Sequence, residues 1–349
     1  MIQIGSQPMK KILIPPSTEL FFGSLQLFEK LPHLKPIVIA DEALEHLYAK
    51  PLCARWGADL ILIPNGEKAK TRQIKEKLED ALLEKGCGKD TVLIAVGGGS
   101  TTDLVGFTAS TYLRGVPLIL VPTTLVAMVD ASIGGKTAID TPHGKNLIGT
   151  FYPPKYILAD TDTLKTLPEK EWENGFAEIL KMGLVSDPSI LEMDPASPQT
   201  ILKAIEAKIL ITQKDPFDQS LRRILNFGHT IGHALEIASN YEISHGEAVA
   251  IGSMTESFLS HLLGHLNQED FLKIEEIYSS RFDLSLPKTY MRPALLKALL
   301  FDKKKELGLV RFVSLQKIGK AHPFNNSYCN PAPPKELEAA LDWMESTYG

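Results

Sequence analysis

The chain has 349 residues, of which 44% are hydrophobic and 23% are charged. At roughly 150 residues per domain this length predicts about two domains, and the composition excludes a disordered, fibrous or low-complexity protein. Lysine and arginine (37) are outnumbered by aspartate and glutamate (42), so the net charge of −5 does not favour binding to nucleic acid.

The cysteines and the N-terminus indicate a cytoplasmic protein. Cys53, Cys87 and Cys329 are odd in number and widely separated, without a CxxC pair or zinc-finger spacing. Lys10, Lys11 and several prolines interrupt the N-terminal segment, where a signal peptide requires an apolar stretch. The longest apolar runs fall far short of the roughly 20 residues that a membrane helix needs. We therefore expect a reduced chain that has no membrane partner.

Apolar, β-rich runs alternate with charged, helix-like stretches in the first half of the chain. This alternation favours βαβ units around a mostly parallel sheet. The predicted strands are residues 37–40, 60–63, 92–96 and 118–121, and the predicted helices lie near residues 43–50 and 70–85. We expect residues 1–160 to form a Rossmann-like α/β domain of the nucleotide-binding type.

The second half of the chain has the long periodicities of helices. They cover residues 169–185, 198–213, 228–240, 246–263 and 268–281. We expect residues 161–349 to form a mainly α-helical domain. A cleft between the two domains is the first place to expect a ligand.

A glycine-rich turn follows the predicted strand 92–96. Gly97, Gly98 and Gly99 permit positive φ and close backbone approach, and the helix that begins after them offers free N–H groups to a phosphate. The turn could also be a tight strand-to-helix connection without a ligand. Its position at the carboxyl end of a parallel strand favours a pyrophosphate site.

A polar stretch of little periodicity covers residues 123–153. It contains Asp130 and two Gly-Lys pairs, at Lys136 and at Lys145. A lysine beside permissive backbone suits phosphate or carboxylate binding, although an ordinary solvated loop has the same composition. A long irregular stretch inside a compact domain is typical of a functional loop.

A glutamate and three histidines form the candidate metal site. Glu178 and Lys181 share one helix face, as do His229 and His233, and His245 follows shortly after. The acid–base pair alone resembles a common surface ion pair, and the histidine pair has either metal-ligand spacing or the spacing of a satisfied polar pair. Imidazoles with one carboxylate suit Zn²⁺ with an open position for substrate. We expect His261 and His265 at an ordinary exposed helix end.

These motifs together resemble the 3-dehydroquinate synthases. The resemblance covers most of residues 60–310 in order, and little of the first fifty or last forty. The matching segments are GGGSTTDLVGFTASTYLRG (97–115), VPTTLVAMVDASIGGKTAIDTPHGKNLIGTFYPP (121–154), LADTDTLKTLP (158–168), GFAEILKMGL (175–184), LNFGHTIGHALE (225–236), SHGEAVAIG (244–252) and FDKK (301–304).

The resemblance implies a reaction and its cofactors. The family converts 3-deoxy-D-arabino-heptulosonate 7-phosphate to 3-dehydroquinate and phosphate, in the shikimate pathway, and commonly forms homodimers. The resemblance places a zinc ion, or cobalt in its place, on Glu178, His229 and His245. The cofactor NAD⁺ then falls to Asn65, Gly66, Glu67, Lys68, Ala69, Lys70, Gly99, Ser100, Thr101, Thr102, Asp103, Thr123, Thr124, Lys136, Lys145, Thr163, Leu164, Lys165 and Thr166.

Substrate contacts are also implied by the resemblance. They fall on Arg114, Lys136, Lys145, Asn146, Lys181, Lys208, Arg222, Asn226, His233, Lys303 and Lys304, with either member of the last pair pointing inward. The implied catalytic residues are His233, Lys136, Asp130, Asn146, Lys181 and Arg222. The chain departs from the family at Thr102, where a small residue is usual, and this bulk could alter the affinity for NAD⁺.

Three other functions are weighed against this one. A metal-dependent polyol dehydrogenase shares a GGGS-type loop but needs no multi-cation grip on phosphate and carboxylate. A sister sugar-phosphate cyclase acts on a substrate that lacks the carboxylate, which Arg222 and the Lys303–Lys304 pair argue against. A non-catalytic NAD- or zinc-binding regulator would release no phosphate.

Overall fold

The computed structural model describes residues 9–14, 17–29, 34–303, 310–325 and 327–349, with the side chains of residues 301–303 excluded. The chain divides into two compact units, Met1–Pro168 and Glu169–Gly349. Within the described residues, none of the helices combines the length and the apolar character needed to cross a membrane.

The first unit is built on a seven-stranded sheet. Its strands, in chain order, are β1 (Lys10–Ile14), β2 (Thr18–Phe22), β3 (Lys35–Asp41), β4 (Asp59–Ile63), β5 (Thr91–Gly97), β6 (Leu118–Pro122) and β9 (Tyr156–Ala159). Strands β7 (Lys136–Thr141) and β8 (Gly144–Phe151) form a separate hairpin. The spatial order is β1-β2-β9-β6-β5-β3-β4. Strands β2, β9, β6, β5, β3 and β4 run parallel to their neighbours, and β1 pairs antiparallel with β2. The predicted parallel sheet is confirmed.

The central strands are apolar because both of their faces are covered. Every residue of β5 and β6 is buried, as expected for strands inside a parallel α/β sheet. The helices of this unit are α1 (Lys50–Trp56), α2 (Arg72–Glu84) and α3 (Gly99–Thr111). The helix predicted near residues 43–50 begins instead as a short 3-10 turn and a π-helical turn, and becomes α-helical only from Lys50.

The polar stretch at residues 123–153 is not an irregular loop. It forms a π-helical turn at Ala127–Ala131 and the antiparallel hairpin β7 (Lys136–Thr141) and β8 (Gly144–Phe151). The prediction of a loop is wrong because β8 is largely solvent-exposed, so its sequence lacks the apolar alternation that identifies a half-buried strand. The hairpin fixes the position of the Gly-Lys pairs on ordered backbone.

The second unit is mainly helical, as predicted. Its helices are α4 (Glu169–Val185), α5 (Pro198–Lys214), α6 (His229–Ala238), α7 (His245–Leu262), α8 (Gln268–Ser279), α9 (Arg292–Lys303) and α10 (Pro334–Tyr348). Short strands β10 (Arg311–Val313), β11 (Leu315–Lys317), β12 (Lys320–Ala321) and β13 (Cys329–Pro331) form two small antiparallel pairs, β10 with β13 and β11 with β12.

The core of the second unit brings together distant parts of the chain. Leu235 of α6, Ile251 of α7, Leu295 of α9 and Met344 of α10 belong to one buried cluster. Burying these side chains contributes roughly 1.5–3 kcal/mol each. The core therefore fixes the relative positions of α6 and α7, whose first residues are the predicted metal ligands His229 and His245.

Candidate active site

The predicted cofactor segments meet at one edge of the first unit's sheet. Residues 65–70 follow β4, the glycine-rich turn follows β5, Thr123 and Thr124 follow β6, and Thr163 follows β9 by a few residues. These strands are parallel, so their carboxyl ends lie at the same edge. Chain order reverses between β3 and β5, which are neighbours in space although β4 lies between them in sequence. Open α/β sheets bind ligands at such a switch point.

The glycine-rich turn needs glycine for space and not for positive φ. None of its three glycines has a left-handed φ, and Gly98 has φ −77°. A Cβ at Gly97 would lie 2.5 Å from Oγ1 of Thr101, and a Cβ at Gly98 would lie 3.1 Å from Cγ2 of Thr124. The sequence interpretation was therefore correct that the glycines permit close approach of neighbouring atoms. It was wrong that they are needed for a positive φ.

The turn leads directly into the first residue of α3, whose N-cap is Gly98. The first N–H groups of a helix have no partner within it and attract anionic oxygens. The bulky Thr102 is buried, and its hydroxyl donates to the carbonyl of Gly99 at 3.0 Å. Its side chain is thus folded back onto its own helix.

Lys70 links three predicted site segments. Its ammonium donates to Oδ2 of Asp103 at 2.6 Å and to Oδ1 of Asn146 at 2.5 Å, and the side chain is almost fully buried. Burial acts to lower the pKa of Lys70, but the Asp103 carboxylate outweighs it and raises the pKa above its ordinary value. The lysine therefore stays charged and joins the residue 65–70 loop to α3 and to the start of β8.

Asp140 fixes the start of β8, which carries Asn146. Its Oδ1 accepts from the backbone N–H of Asn146 at 2.9 Å, and its own N–H donates to the carbonyl of Lys70 at 2.8 Å. Asn146 has a φ of 59°, and this hydrogen bond helps to hold that left-handed conformation. Burial and a hydrogen bond with the Glu67 carboxyl raise the pKa of Asp140 to about 6.

Sequence reasoning missed Asp41 at the same edge. It ends β3, is buried, and accepts from the backbone N–H of Gly66 at 3.1 Å, so it holds the loop after β4. An acidic residue directly after the apolar run 37–40 was the available signal. Tyr48 plays a similar part for the turn after β9, where its hydroxyl donates to the carbonyl of Thr163 at 3.0 Å and contacts Oγ1 of Thr166 at 2.7 Å.

The predicted metal ligands converge in the second unit. Nε2 of His229 and Nε2 of His245 lie 3.2 and 3.1 Å from the same oxygen, Oε1 of Glu178. One ligand atom from each of the three residues lies within 4.8 Å of the others. Glu178 is buried in α4, whereas the two histidines begin α6 and α7 and are only partly buried. The group is thus accessible from one side.

The second ring nitrogen of each histidine is already engaged. Nδ1 of His229 lies 3.0 Å from the carbonyl of Phe227, and Nδ1 of His245 lies 3.5 Å from Oε1 of the buried Glu236. Since a carbonyl only accepts, Nδ1 of His229 donates to it, which leaves Nε2 as the ring nitrogen that faces Glu178 and could ligate a metal. Carbonyl and carboxylate partners of this kind orient metal-ligating histidines in proteins.

This donor set fits a tetrahedral divalent cation. With ligand bonds of 2.0–2.1 Å, a tetrahedral zinc site has neighbouring ligand atoms about 3.3 Å apart. The observed 3.1 and 3.2 Å separations are close to that value. Without a metal ion, burial acts to lower the pKa of His245. Hydrogen bonds to Glu178 and Glu236 outweigh this effect and raise the pKa to about 10. A cation bound at Nε2 of His245 would take the place of that proton.

A second group of possible ligands, His233, Glu236 and His245, overlaps the first. His245 uses its Nδ1 toward Glu236, so Glu236 orients His245 when that histidine binds a cation through Nε2. His233 is exposed, and its ring centroid lies 5.1 Å from that of His229. Its role as a base that contacts substrate stays a prediction. Glu236 was not found from the sequence, although it lies three residues after His233 on α6.

Glu178 and Lys181 form a buried ion pair and not a surface pair. Their side chains are each 2% exposed. Burial raises the pKa of Glu178, but Lys181 and His229 outweigh it and hold the pKa well below its ordinary value. Glu178 is therefore ionised, as a metal ligand must be.

The other predicted substrate residues of the second unit differ in exposure. Lys208 of α5 and Arg222 are buried, whereas Asn226 is exposed. Arg222 donates from Nη1 to the carbonyl of Pro216 at 2.9 Å. Lys303 is the last residue of α9, but its side chain and Lys304 lie outside the described residues.

In the first unit, the remaining predicted residues lie at the hairpin and at the end of α3. Lys136 and Lys145 are exposed at the starts of β7 and β8, and Asp130 is half-buried in the π-helical turn. Arg114 is exposed and has a left-handed φ of 63°. The basic side chains of Lys136, Lys145 and Arg114 thus extend from ordered backbone.

Comparison with known proteins identifies the family. The profile of the 3-dehydroquinate synthase N-terminal domain matches residues 60–174, and that of the C-terminal domain matches residues 175–305. A 3-dehydroquinate synthase of Thermodesulfovibrio yellowstonii is 43% identical over 302 residues, which cover 81% of this chain and 84% of the relative.

Solved structures show the same fold. A 2-deoxy-scyllo-inosose synthase complexed with carbaglucose-6-phosphate, NAD⁺ and Co²⁺ matches with a TM-score of 0.87 and 25% identity, covering 96% of this chain and 100% of that one. The 2-epi-5-epi-valiolone synthase of Streptomyces hygroscopicus, with NAD⁺ and Zn²⁺ bound, matches with a TM-score of 0.81 and 27% identity, covering 96% and 99%. Since both family profiles match in order and together cover most of the chain, the protein belongs to the 3-dehydroquinate synthase family.

Proposed function

We propose that this chain is a phosphate-eliminating lyase that converts 3-deoxy-D-arabino-heptulosonate 7-phosphate to 3-dehydroquinate and phosphate. The reaction combines transient oxidation, elimination of phosphate, reduction and intramolecular aldol closure. The observation that carries the proposal is the convergence of Glu178, His229 and His245, three residues far apart in sequence, on one set of ligand atoms.

The metal and the cofactor have separate sites in this proposal. Glu178, His229 and His245 hold the cation, and the carboxyl edge of the first unit's sheet, with Lys70 and Asp103, holds NAD⁺. When bound, the metal supplies a Lewis acid for an alcohol oxygen and NAD⁺ supplies a reversible hydride acceptor. The family's sister cyclases that bind NAD⁺ with Co²⁺ or Zn²⁺ support both assignments.

The chain's own residues bind and orient the substrate. Phosphate and carboxylate are anionic, and their grip falls to the predicted lysines and arginines, of which Arg222 offers a planar, bidentate donor. Asn146, which Asp140 and Lys70 hold in place, belongs to the same anion-binding set, and Asp130 lies beside the substrate hydroxyls. His233 lies beside the ligands and moves a proton at a substrate oxygen, and the base for the elimination is the substrate's own phosphate oxygen.

One assay tests this function directly. The heptulosonate phosphate is supplied with NAD⁺, and phosphate release is followed together with NADH absorbance. We expect stoichiometric phosphate without net NADH, abolished by a strong chelator and restored by Zn²⁺. Steady NADH production would support a dehydrogenase instead, and phosphate release that survives complete removal of metal would refute the metal assignment.

Two matched variants separate the ligand from the base. His229→Ala should lose bound metal, whereas His233→Ala, on the same helix face, should retain one metal per chain and turn over slowly. Metal content is measured by atomic emission after gel filtration. Equal metal loss in both variants would show that His233 is also a ligand.

The sister cyclases provide the second candidate function, because the 2-deoxy-scyllo-inosose synthase structure matches over nearly the whole chain. A hexose 6-phosphate tests it. We expect kcat/KM for the heptulosonate phosphate to exceed that for the hexose phosphate by more than 100-fold. The hexose phosphate has no carboxylate, so the basic side chain that pairs with the carboxylate of the heptulosonate would have no partner. The reverse preference would reassign the chain to the sister activity.

The location and oligomeric state complete the proposal. We propose a cytoplasmic homodimer, supported by the cysteine pattern of the sequence and by the family resemblance. Analytical ultracentrifugation tests the dimer, and a single species of monomer mass would refute it.

A further inference from the structure

The helix that carries His229 begins without a capping side chain of its own. Its N-cap residue is Gly228, which has φ 77° and no side chain to accept a hydrogen bond. The first N–H groups of a helix need partners from outside it, and most helices use Ser, Thr, Asp or Asn at this position. The start of α6 is therefore satisfied by other means.

Glu256, on the neighbouring helix α7, supplies that cap. Its Oε2 accepts from the N–H of Gly228 at 2.9 Å, and its Oε1 accepts from the N–H of Ile231 at 3.2 Å. The backbone N–H groups of Thr230 and Val313 also donate to this carboxyl. Glu256 is completely buried. Burial raises its pKa to about 8, against the opposing effect of these donors.

The carboxyl reaches α6 because the two helices cross at glycines. A Cβ on Gly252, one turn before Glu256 on α7, would lie 2.1 Å from the carbonyl oxygen of Gly228 and 2.7 Å from the nitrogen of Gly232. The backbones are thus in direct contact at this crossing. Glu256 lies one turn further along α7, at the open end of α6.

The capped turn controls the orientation of a metal ligand. Gly228 lies between Phe227 and His229, and the carbonyl of Phe227 accepts from Nδ1 of His229 at 3.0 Å. Fixing the N–H groups of Gly228 and Ile231 therefore fixes both the backbone of His229 and the carbonyl that orients its ring. The contact of Glu256 with the metal site is indirect, through this backbone.

The same carboxyl also has an electrostatic effect. A helix N-terminus carries a partial positive charge, and His229 is the first residue of α6. A divalent cation bound there would meet that charge. The Glu256 oxygens that accept from the N-terminal N–H groups offset part of that charge.

We propose that Glu256 is a positioning residue that caps α6 and thereby holds His229 in its metal-ligating geometry. The proposal rests on the metal assignment made above. It predicts that loss of the carboxyl group weakens metal binding while the protein remains folded.

The test compares Glu256→Gln with Thr255→Val. Thr255 is the adjacent residue, is fully buried, and donates to the carbonyl of Ile251 at 2.8 Å, so its variant perturbs the same helix without touching the cap. Zn²⁺ affinity is measured by competition with a chromophoric chelator, and the coordination geometry by the visible absorption bands of the Co²⁺ protein. His229→Ala is the reference for loss of a ligand.

We expect Glu256→Gln to bind Zn²⁺ at least tenfold more weakly and to shift the Co²⁺ bands, as for other residues that orient metal ligands, and Thr255→Val to bind as the wild type does. Wild-type affinity in a folded Glu256→Gln variant would overturn the proposal. If instead the wild type and His229→Ala bind Zn²⁺ equally, the metal assignment itself fails.

Hydrogen exchange on the wild-type chain tests the cap if Glu256→Gln does not fold. We expect the amides of Gly228 and Ile231 to be protected from exchange both with and without Zn²⁺, because the Glu256 carboxyl and not the cation holds them. Free exchange of these amides in the metal-free protein would overturn the proposal.

Discussion

The crossing of α6 and α7 makes Gly252 a sensitive position for both stability and metal binding. In Gly252→Ala the new Cβ would lie 2.1 Å from the carbonyl oxygen of Gly228 and 2.7 Å from the nitrogen of Gly232. Both are backbone atoms, so no side chain can rotate away. Relief requires α7 to move from α6 by about 1 Å, since non-bonded carbon and oxygen atoms approach to no less than roughly 3.2 Å.

This displacement has two measurable consequences. Overpacking of this kind costs about 1–3 kcal/mol, and the higher helix propensity of alanine returns about 1 kcal/mol, which leaves a net loss of up to about 2 kcal/mol. The larger effect is on the metal site, because His229 and His245 begin the two helices that are forced apart. Ligand distances must be correct to about 0.2 Å, so we expect Zn²⁺ affinity to fall by about 10–100-fold.

Gly183→Ala provides the matched control. Its Cβ would meet a terminal carbon of the Leu191 side chain at 2.4 Å, and that side chain can adjust. The free energy of unfolding is measured by urea denaturation and the Zn²⁺ dissociation constant by chelator competition. We expect Gly183→Ala to leave the dissociation constant unchanged. Equal Zn²⁺ affinity in the wild type and Gly252→Ala would refute the claim that the crossing positions the ligands.

Three further predictions concern buried polar groups. Glu236→Gln removes the carboxylate that orients His245. Chelator competition should therefore show that the Zn²⁺ affinity falls about tenfold, and an unchanged affinity would contradict this role of Glu236. Lys70→Met leaves the nearly buried carboxylate of Asp103 without its partner. Urea denaturation should therefore show that the free energy of unfolding falls by about 3 kcal/mol, and a fall of less than about 1 kcal/mol would contradict this. His265 and His322 have ring centroids 3.9 Å apart, and burial lowers both pKa values, so the unfolded chain takes up protons first. Stability should therefore be present above pH 6.5 and fall as the pH drops below 6.5 through the lowered pKa values of the folded chain. Urea denaturation of His322→Gln should show a smaller fall, whereas equal falls would exclude the pair.

The histidine pair also corrects an expectation from the sequence. His265 is not at an ordinary exposed helix end, because its Nδ1 contacts Oγ of the buried Ser314 at 2.9 Å and its ring packs on His322. His261 is likewise partly buried, with Nδ1 3.1 Å from the carbonyl of Leu266. The partners of His265 lie in the chain beyond α8, and the partner of His261 lies in the turn that follows α7. The polar character of the residues around these two histidines does not predict the contacts.

Local patterns predicted most of the fold. The four strands β3 to β6 and the five helices from α4 to α8 were found close to their observed bounds, because their patterns are strong, whereas β1, β2 and β9 were not predicted. The hairpin β7–β8 was missed because an exposed pair of strands has no such periodicity. The motifs also placed Glu178, His229 and His245 together, through the family that they resemble and not through any local rule.

By itself, the sequence determined the residue types of the candidate site and the elements that carry them, since each motif is short and its chemistry is local. Only the tertiary structure decided which groups hydrogen-bond to those residues and orient them. Asp41, Asp140, Glu236 and Glu256 act on residues between 6 and 28 positions away, through backbone and side-chain contacts that exist only once the strands and helices pack. Directed hydrogen bonds of this kind depend on three-dimensional position, and no spacing along the chain encodes them.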